Sequence, residues 1–478
     1  MLSLTVLERG RIERDKDLAP NAPREQFGTP ERLRLPAVLF DRLWNAEGVR
    51  VDRGEKPIFT LGRHRATVGP WVGVLQIPGL QLEFLPKIEK AQKVSSAGSS
   101  NDQAEIRLGR ENLLYMLELS GLTSFRSRGL ASLRTRSGTV NDQLLTQFLS
   151  RVIEELHRGL DRNYFDEENN LLTKRGRLLL KEQLTINSAQ SHRFFCRYDI
   201  FGEHTQINRV LRTACDRLAR WTLPLSLQHD VGHILAILDG VEPIHDAASL
   251  PGVNFTRQND RFRDIYDFSL LILNSQAPDL RSGNSQTFSL LFDMDKVFER
   301  FIAAFIKRYV LSDQQFGFVG KLTLHAQATA NQRYLFDPHQ HNNARGALEL
   351  KPDLLFEDVS NPAKPKFLVG DTKWKVLEQN SCGKPSRDDF FQLYAYLRRF
   401  GCSHAFLLYP QASGSAHHQF HALDNDGVRV GCLRTAFVDL SVALDSAPGR
   451  ARLAQELASI LQDALKAPER APHSLGVV

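Results

Sequence analysis

The stretch from Leu348 to Tyr409 predicts the fold, because apolar segments of strand length alternate there with a helical pattern. In chain order the segments are LELKPDLLF (348–356), FLVGDTK (367–373), DDFFQLYAYLRRF (388–400) and AFLLYP (405–410). The order strand, strand, helix, strand is that of an α/β layer. Two carboxylates and one lysine, Asp353, Asp371 and Lys373, stand on the first two predicted strands.

The spacing of these three residues predicts a metal-dependent site. Side chains alternate across a strand, so Asp371 and Lys373 should share one face. If the strand that carries Asp353 pairs beside them, the two carboxylates meet, and they repel each other unless one is protonated. A divalent cation removes this repulsion, and Mg²⁺ prefers oxygen ligands of this kind. Bound Mg²⁺ activates water for attack on a phosphodiester, and Lys373 would orient that water or neutralise the developing charge.

The same residues resemble a known nuclease superfamily. Asp353 followed by Asp371-x-Lys373 looks like the core motif of the PD-(D/E)XK nucleases. Gln392-x-x-x-Tyr396, one turn apart on a predicted helix, resembles the Q-x-x-x-Y element that follows this core in the RecB-like and McrC-like branches.

A second resemblance lies upstream of the core. LLFDMDKVFERFIAAF (290–305) is similar to the helix that precedes the core in McrC proteins, the nuclease subunits of McrBC-type, modification-dependent restriction systems. Within it, Glu299 matches the acidic position that such nucleases place near the metal. The clear resemblance extends from about Phe288 to Pro410, and a looser one includes LEFLPKIEK (82–90).

The resemblance implies a fold and a function. The expected fold is α/β, with a C-terminal PD-(D/E)XK mixed sheet flanked by helices after a β-rich N-terminal domain and a helical middle region. The expected function is a DNA endonuclease subunit of an NTP-dependent, type IV restriction complex that cuts modified or foreign DNA with Mg²⁺. A separate McrB-like AAA+ GTPase would be its partner. The implied catalytic residues are Asp353, Asp371, Lys373 and Gln392, and the implied metal-binding residues are Asp353, Asp371 and Glu299.

Other interpretations of these residues remain open. A D…D-x-K spacing also arises at the end of a surface strand that carries a solvated ion pair. Glu299 flanks the buried stripe of its helix and could lean toward the metal or into water. Tyr396 could pack in the core, and Lys375 could contact the DNA backbone or be solvated.

Composition indicates a soluble intracellular protein. The 478 residues are 42% hydrophobic and 24% charged, with a formal net charge of +6, which permits nucleic-acid contact without demanding it. No membrane-spanning run and no signal peptide is recognisable. Five scattered cysteines form no C-x-x-C pair, so a reducing cytoplasm is expected; they are Cys196, Cys215, Cys382, Cys402 and Cys432.

We expect four regions: a β-rich region at 1–105, a mainly helical region at 106–280, a third region at 281–445, and a closing helix and tail at 446–478. The resemblance implies that residues 1–105 dock on the AAA+ partner and that residues 281–445 are the nuclease. The N-terminal region could instead pack on its own nuclease or bind DNA. Within these regions we expect a helix from ERLRLPAVLFDRLWN (31–45), a flexible loop at 94–103, a β segment at 173–184 and an irregular join at 258–286. We also expect an N-cap at Asn141-Asp142 and a hairpin turn at Asn425-Asp426-Gly427.

Further sequence motifs bear on nucleic-acid binding, zinc binding and nucleotide hydrolysis. Arg209, Arg212 and Arg220 nearly align on one predicted helix face, which suits either a phosphate backbone or paired solvated charges. The histidines at 339, 341, 417, 418 and 421 are read as loop residues, because no cysteine stands near to complete a zinc site. No G-x-x-x-x-G-K-[ST] and no G-x-S-x-G occurs, so a motor would have to come from another chain. A non-catalytic adaptor of a AAA+ ring and a stand-alone repair nuclease are the alternative functions.

Overall fold

A computed structural model describes residues 1–47, 57–88, 99–123, 138–244, 252–274, 288–327, 333–336, 347–360, 366–375, 384–412, 415 and 417–466. They form two compact units, one of Met1–Thr123 with Ala277–Val478 and one of Ser124–Gln276. The first unit therefore combines the β-rich N-terminal region with the region predicted to be the nuclease. The boundaries predicted at residues 105, 280 and 445 remain predictions.

The N-terminal part of the first unit is mostly β, as the sequence predicts. Its elements are β1 (Leu2–Leu7), β2 (Arg11–Asp15), β3 (Gly28–Thr29), β4 (Arg32–Pro36), α1 (Ala37–Glu47), β5 (Phe59–Gly62), β6 (Arg65–Val68), β7 (Trp71–Ile77), β8 (Leu80–Leu85) and α2 (Ser99–Leu119). Two expectations are wrong. The helix predicted from residue 31 begins only at Ala37, because β4 pairs with β2. Residues 99–103 of the predicted loop lie in α2, and 94–98 fall outside the described residues.

The second unit contains a helical layer and a small sheet. Its elements are α3 (Val140–His157), β9 (Asn163–Leu171), β10 (Arg177–Leu178), α4 (Leu180–Ile186), β11 (Phe194–Gly202), α5 (Gln206–Leu218), α6 (Leu225–Ile237) and α7 (Arg263–Asn274). The three strands are antiparallel in the order β10-β11-β9. The helices share a core in which the rings of Phe148 and Phe268 lie 5.0 Å apart.

Three local predictions for this unit differ from the structure. Thr139, not Asn141-Asp142, caps α3, and Asp142 completes a capping box with it. The β segment predicted at 173–184 shortens to β10, and the good helix formers that follow make α4 instead. Within the join predicted at 258–286, residues 263–274 form α7, whereas 275–286 lie outside the described residues.

The remainder of the first unit carries a six-stranded mixed sheet. Its elements are β12 (Phe288–Asp293), α8 (Met294–Phe305), β13 (Leu322–Ala326), β14 (Arg333–Phe336), β15 (Ala347–Leu350), β16 (Leu354–Asp358), β17 (Lys366–Thr372), α9 (Arg387–Phe400), β18 (His404–Pro410), β19 (Gln419–Leu423), β20 (Arg429–Val438) and α10 (Ala447–Lys466). The sheet order is β13-β16-β17-β18-β20-β19, with β17, β18 and β20 parallel. The predicted α/β fold is confirmed, as are the closing helix and the β19–β20 hairpin.

A shared strand connects the two parts of the first unit. β12 pairs with β7, so that Leu290 lies opposite Val74. This pairing completes a four-stranded sheet in the order β1-β8-β7-β12. The amide of Met294, the first residue of α8, donates to the carbonyl of Pro70. The N-terminal residues therefore pack on the region predicted to be the nuclease, which is one of the alternatives that the sequence left open. Across the described residues, no helix combines the length and the apolar character needed to cross a membrane.

Close packing in the sheet gives a stability prediction. Gly370 of β17 lies beneath the ring of Phe406 on β18, and a Cβ added there would come within 2.4 Å of the ring's Cζ. We expect Gly370→Ala to destabilise the first unit by about 1–3 kcal/mol, because the ring must move. Thermal unfolding measures this change.

Gly109→Ala is the matched control. Gly109 lies in α2, and an added Cβ there meets nothing within 4 Å. Alanine at this position should stabilise the helix by up to ~1 kcal/mol. Equal melting temperatures for Gly370→Ala and wild type would contradict the packing described.

Candidate active site

The pairing of β16 and β17 brings the two predicted aspartates to the same end of the sheet. Leu354 pairs with Gly370, so Asp353, directly before β16, lies beside the end of β17 that carries Asp371. Oδ2 of Asp353 accepts hydrogen bonds from the amide and the hydroxyl of Thr372, both at 2.7 Å. The carboxyl is therefore held against the residue that follows Asp371.

One detail of this strand differs from the prediction. LELKPDLLF forms two strands, β15 and β16, with Lys351, Pro352 and Asp353 between them. Proline cannot donate to a sheet ladder, which explains the break. Asp353 thus lies at the start of a strand rather than within one.

Lys373 and Asp371 lie on the same side of the strand, as alternation predicts. Nζ of Lys373 lies 2.6 Å from Oδ2 of Asp371, whose side chain is only 1% exposed. The same ammonium donates to Oε1 of Gln392 at 3.2 Å, and Nε2 of Gln392 donates to Oδ1 of Asp371 at 3.4 Å. The three side chains form a closed triangle of polar contacts.

Helix α9 carries Gln392 and also Tyr396, whose hydroxyl holds the Gln392 side chain. A capping box of Ser386 and Asp389 starts this helix. Nε2 of Gln392 donates to the hydroxyl of Tyr396 at 2.9 Å, and that hydroxyl donates to the carbonyl of Lys351 at 3.0 Å. Tyr396 is also buried in the hydrophobic core between α9 and the sheet, so it packs and positions at once.

Glu299 approaches the site from α8 but remains apart from the two aspartates. It is half-buried, and its Oε1 accepts a hydrogen bond from Nε2 of Gln327 at 2.8 Å. Burial, and next the negative charge of Asp353, raise its pKa. Among the residues that the structure describes, no three His, Cys, Asp or Glu side chains converge into a metal-binding group. The metal role of Glu299 therefore remains a prediction.

The electrostatics of the site show an excess of negative charge. Burial, and then the charge of Asp353, raise the pKa of Asp371 to about 7. Burial also raises the pKa of Asp353, against the lowering effect of its bonds to Thr372. Burial lowers the pKa of Lys373, but the charge and hydrogen bond of Asp371 outweigh this, and the net direction is upward. One ammonium thus faces two carboxyls, of which Asp371 is buried and Asp353 is partly buried.

These residues fit a divalent cation. Oδ2 of Asp371 is buried and lies 2.6 Å from the ammonium of Lys373. Mg²⁺ usually takes one or two carboxylates from a protein, with waters and substrate phosphate completing its shell, so the oxygens of Asp353 and Asp371 match its donor preference.

The sequence did not reveal a second group of residues that contacts the end of β17. Trp374, directly after Lys373, donates its indole N–H to Oε2 of Glu8 at 2.5 Å. Nη2 of Arg9 donates to the carbonyl of Trp374 at 3.0 Å, and the indole packs on Phe298 of α8 with ring centroids 5.2 Å apart. Because Glu8 and Trp374 are 366 positions apart, no local pattern could have paired them.

Other predicted residues have different surroundings. Lys375 is partly exposed, and its Nζ pairs with Oδ2 of Asp389 at 2.5 Å. Arg212 bonds to Asp216 and to the carbonyl of Leu238, and Arg209 bonds to a backbone carbonyl, which fits the interpretation as paired charges. Arg220 lies beyond the end of α5. His339, His341 and Cys382 fall outside the described residues.

Burial of Glu8 predicts a pH-dependent stability. Burial raises its pKa to about 7 from an ordinary 4.5; its bond from Trp374 and the charge of Arg9 act in the opposite direction, while the charge of Asp295 adds to the rise. Between these two pH values the folded chain holds the proton more tightly than the unfolded chain. The free energy of unfolding should therefore fall by about 3 kcal/mol as pH rises from 4.5 through 7.

Glu8→Gln isolates this contribution, because it keeps an oxygen acceptor for the indole but cannot ionise. The melting temperature of Glu8→Gln relative to wild type should be higher at pH 8 than at pH 5. A difference that stays constant between the two pH values would contradict the raised pKa.

Comparisons with known proteins agree with this architecture. A family profile described as McrBC 5-methylcytosine restriction system component matches residues 66–410. No curated protein matches the chain significantly.

The solved structures that are similar to the chain include two from one organism. One is the refined half-complex from a tetradecameric assembly of Thermococcus gammatolerans McrB AAA+ hexamers with bound McrC: the match has a TM-score of 0.63 and 18% identity, and covers 96% of this chain and 100% of that chain. The other is the cryo-EM structure of the Thermococcus gammatolerans McrBC complex, at a TM-score of 0.45 and 20% identity, covering 64% of this chain and 88% of that chain. The first match supports the fold over nearly the whole chain.

Proposed function

Because this chain belongs to the family of McrBC 5-methylcytosine restriction system components, we propose that it is the Mg²⁺-dependent DNA endonuclease subunit of such a system. The observation that carries the proposal is the convergence of Asp353, Asp371, Lys373 and Gln392 at one end of β16 and β17. The fold proposed for this region is the PD-(D/E)XK fold.

The chemistry follows from the position of each group. Asp353 and Asp371 would hold Mg²⁺, with Glu299 nearby; when bound, the ion supplies an activated water and offsets charge on the phosphodiester. Lys373 presents an ammonium beside Asp371, where it can donate to a phosphate oxygen as negative charge builds. The amide of Gln392 bonds to both Asp371 and Lys373 and so fixes their side chains relative to each other. Tyr396 holds that amide in place.

The partner is proposed by analogy with the similar assembly, in which McrB AAA+ hexamers carry bound McrC. This chain has no recognisable P-loop, so the nucleotide-driven motor would be a McrB-type AAA+ GTPase on another chain. Modified or foreign DNA is the proposed substrate, and a cytoplasmic location and docking through residues 1–105 remain predictions.

A non-catalytic adaptor is the second candidate function. A scaffold gains nothing from two carboxyls brought together beside one ammonium, since each loses hydration and repels the other. The placement of Asp353 and the buried Asp371 at the same end of the sheet is therefore what disfavours the adaptor. A stand-alone repair nuclease would not need the extensive N-terminal region that packs beside the site.

The enzyme hypothesis is tested by Asp371→Ala in the full chain, assayed with a McrB-type partner, Mg²⁺ and plasmid DNA that contains 5-methylcytosine. We expect cleavage to fall below detection, because the buried carboxylate that would bind the metal is gone. Stimulation of the partner's GTPase activity should persist, because the substitution leaves the surface unchanged. Equal cleavage by the variant and wild type would refute the assignment.

A metal titration separates the enzyme from the adaptor without DNA. Mg²⁺ or Mn²⁺ should raise the melting temperature of wild type, by about 2.7 kcal/mol in stability at one hundred times the dissociation constant. Asp353→Asn with Asp371→Asn should abolish the increase. Asp41→Asn, which alters an exposed carboxylate paired with Arg14, is the matched control and should keep it. A metal-dependent increase that survives in the double variant would favour the adaptor.

A further inference from the structure

We propose that the turn formed by Glu8 and Arg9 positions Lys373 for catalysis by holding Trp374 on the opposite side of the same chain segment. The two residues would be positioning residues, because neither reaches the aspartates or the substrate. This inference rests on the proposed nuclease function and adds a requirement to it: the N-terminal strands would be part of the catalytic machinery.

The turn itself is firmly anchored. The amide of Glu8 donates to the carbonyl of Leu85 at 2.9 Å, and the amide of Arg9 donates to the carbonyl of Val68 at 3.1 Å. The turn is therefore tied to the ends of β8 and β6, which belong to different sheets. Arg9 has a φ of 57°, a left-handed conformation that costs free energy for a residue other than glycine and that recurs at functional sites.

The turn holds Trp374 at two points. Glu8 accepts from the indole N–H, and Arg9 donates to the backbone carbonyl. The neighbouring peptides are also fixed, because the amide of Lys373 donates to the carbonyl of Leu408 at 2.9 Å and the amide of Lys375 donates to the carbonyl of Lys373 at 3.0 Å. The segment that carries the lysine is thus bonded on both of its sides.

Holding the indole determines where the lysine points. The indole of Trp374 contacts Glu8 and Phe298, whereas the ammonium of the preceding Lys373 contacts Asp371 and Gln392. An indole fixed on Glu8 therefore restricts the backbone from which Lys373 extends to those two groups. A lysine has a long flexible stem, and misplacement of a catalytic group by about 1 Å can cost on the order of 100-fold in rate. Trp374 also packs on Phe298, the residue beside Glu299, so the same contact steadies the helix on the other side of the site.

Simple packing does not explain a carboxyl at position 8. Glu8 is 3% exposed, and burial of its carboxyl is unfavourable, as its raised pKa shows. An apolar residue would fill the same volume without that cost, but it could not accept the indole hydrogen bond. The carboxyl of Glu8 therefore orients the indole of Trp374 through a hydrogen bond, which apolar packing alone would not do.

The first experiment uses Trp374→Phe in the full chain with its McrB-type partner, Mg²⁺ and 5-methylcytosine-containing plasmid. Phenylalanine keeps the ring on Phe298 and removes only the N–H donor. We expect the single-turnover rate at saturating DNA to fall about tenfold, equivalent to ~1.4 kcal/mol, while the half-saturating DNA concentration is unchanged. Trp71→Phe is the matched control, since its indole also donates to one acceptor, the carbonyl of Pro57, but does not contact Glu8, and it should cleave at the wild-type rate.

Conservative rescue distinguishes positioning from stability. Glu8→Ala should slow cleavage to the level of Trp374→Phe, and Glu8→Gln should restore most of the rate, because its amide oxygen still accepts from the indole. Cleavage rates are divided by the amount of folded protein, and that amount is measured by stimulation of the partner's GTPase activity. If Glu8→Ala and Glu8→Gln are equally slow, or if all reduced rates disappear after this correction, the turn has only a structural role and the inference is wrong.

A second pair of variants decides the matter if Trp374→Phe does not fold. Arg9 is exposed, and Arg9→Ala removes its bond to the Trp374 carbonyl, which should slow cleavage. Arg14→Ala is the control: it removes an ion pair with Asp41 in the same part of the chain and should leave the cleavage rate unchanged. A wild-type rate for Arg9→Ala, alongside an inactive Asp371→Ala, would overturn the inference and leave the nuclease assignment standing. Cleavage by Asp371→Ala would overturn both.

Discussion

The contact between Asp371 and Lys373 joins opposite charges 2.6 Å apart where the carboxyl is almost wholly buried. A second carboxyl, Asp353, lies beside them, so one ammonium cannot balance the site. The surrounding bonds can be understood from this imbalance. Thr372 donates twice to Asp353, and Gln392 bridges Asp371 and Lys373 while Tyr396 holds it in place. Each bond fixes a group that the excess charge would otherwise push apart.

The parts of this site that the sequence predicts are those governed by local periodicity. An apolar run that ends in Asp371-Thr372-Lys373 determines which side chains share a face, because a strand alternates every residue. Gln392 and Tyr396 stand four apart on a helix, and they contact each other for that reason. The break after Leu350 was also readable in principle, since Pro352 cannot donate to a sheet. Prediction was good where the rule connects neighbours in the chain.

Contacts between distant segments could not be predicted in this way. Nothing near Glu8 indicates that a tryptophan 366 positions later will donate to it. The pairing of β7 with β12 is equally invisible, because alternation fixes which face of a strand is buried but not which strand lies beside it. Lys375 illustrates the same limit: its spacing from Lys373 suggested DNA or solvent, yet Asp389 of α9 takes the charge. Register within an element is a local property, whereas partner choice depends on the whole fold.

The N-terminal strands therefore do more in this structure than extend the chain. Through β12 they hold the start of α8, which carries Glu299, and through Glu8 and Arg9 they hold Trp374, which follows Lys373 directly after β17. A force that shifts the N-terminal sheets would move both, because packed interiors transmit displacement instead of absorbing it. A partner that binds the N-terminal region would for that reason be coupled to the site mechanically, without touching a catalytic side chain.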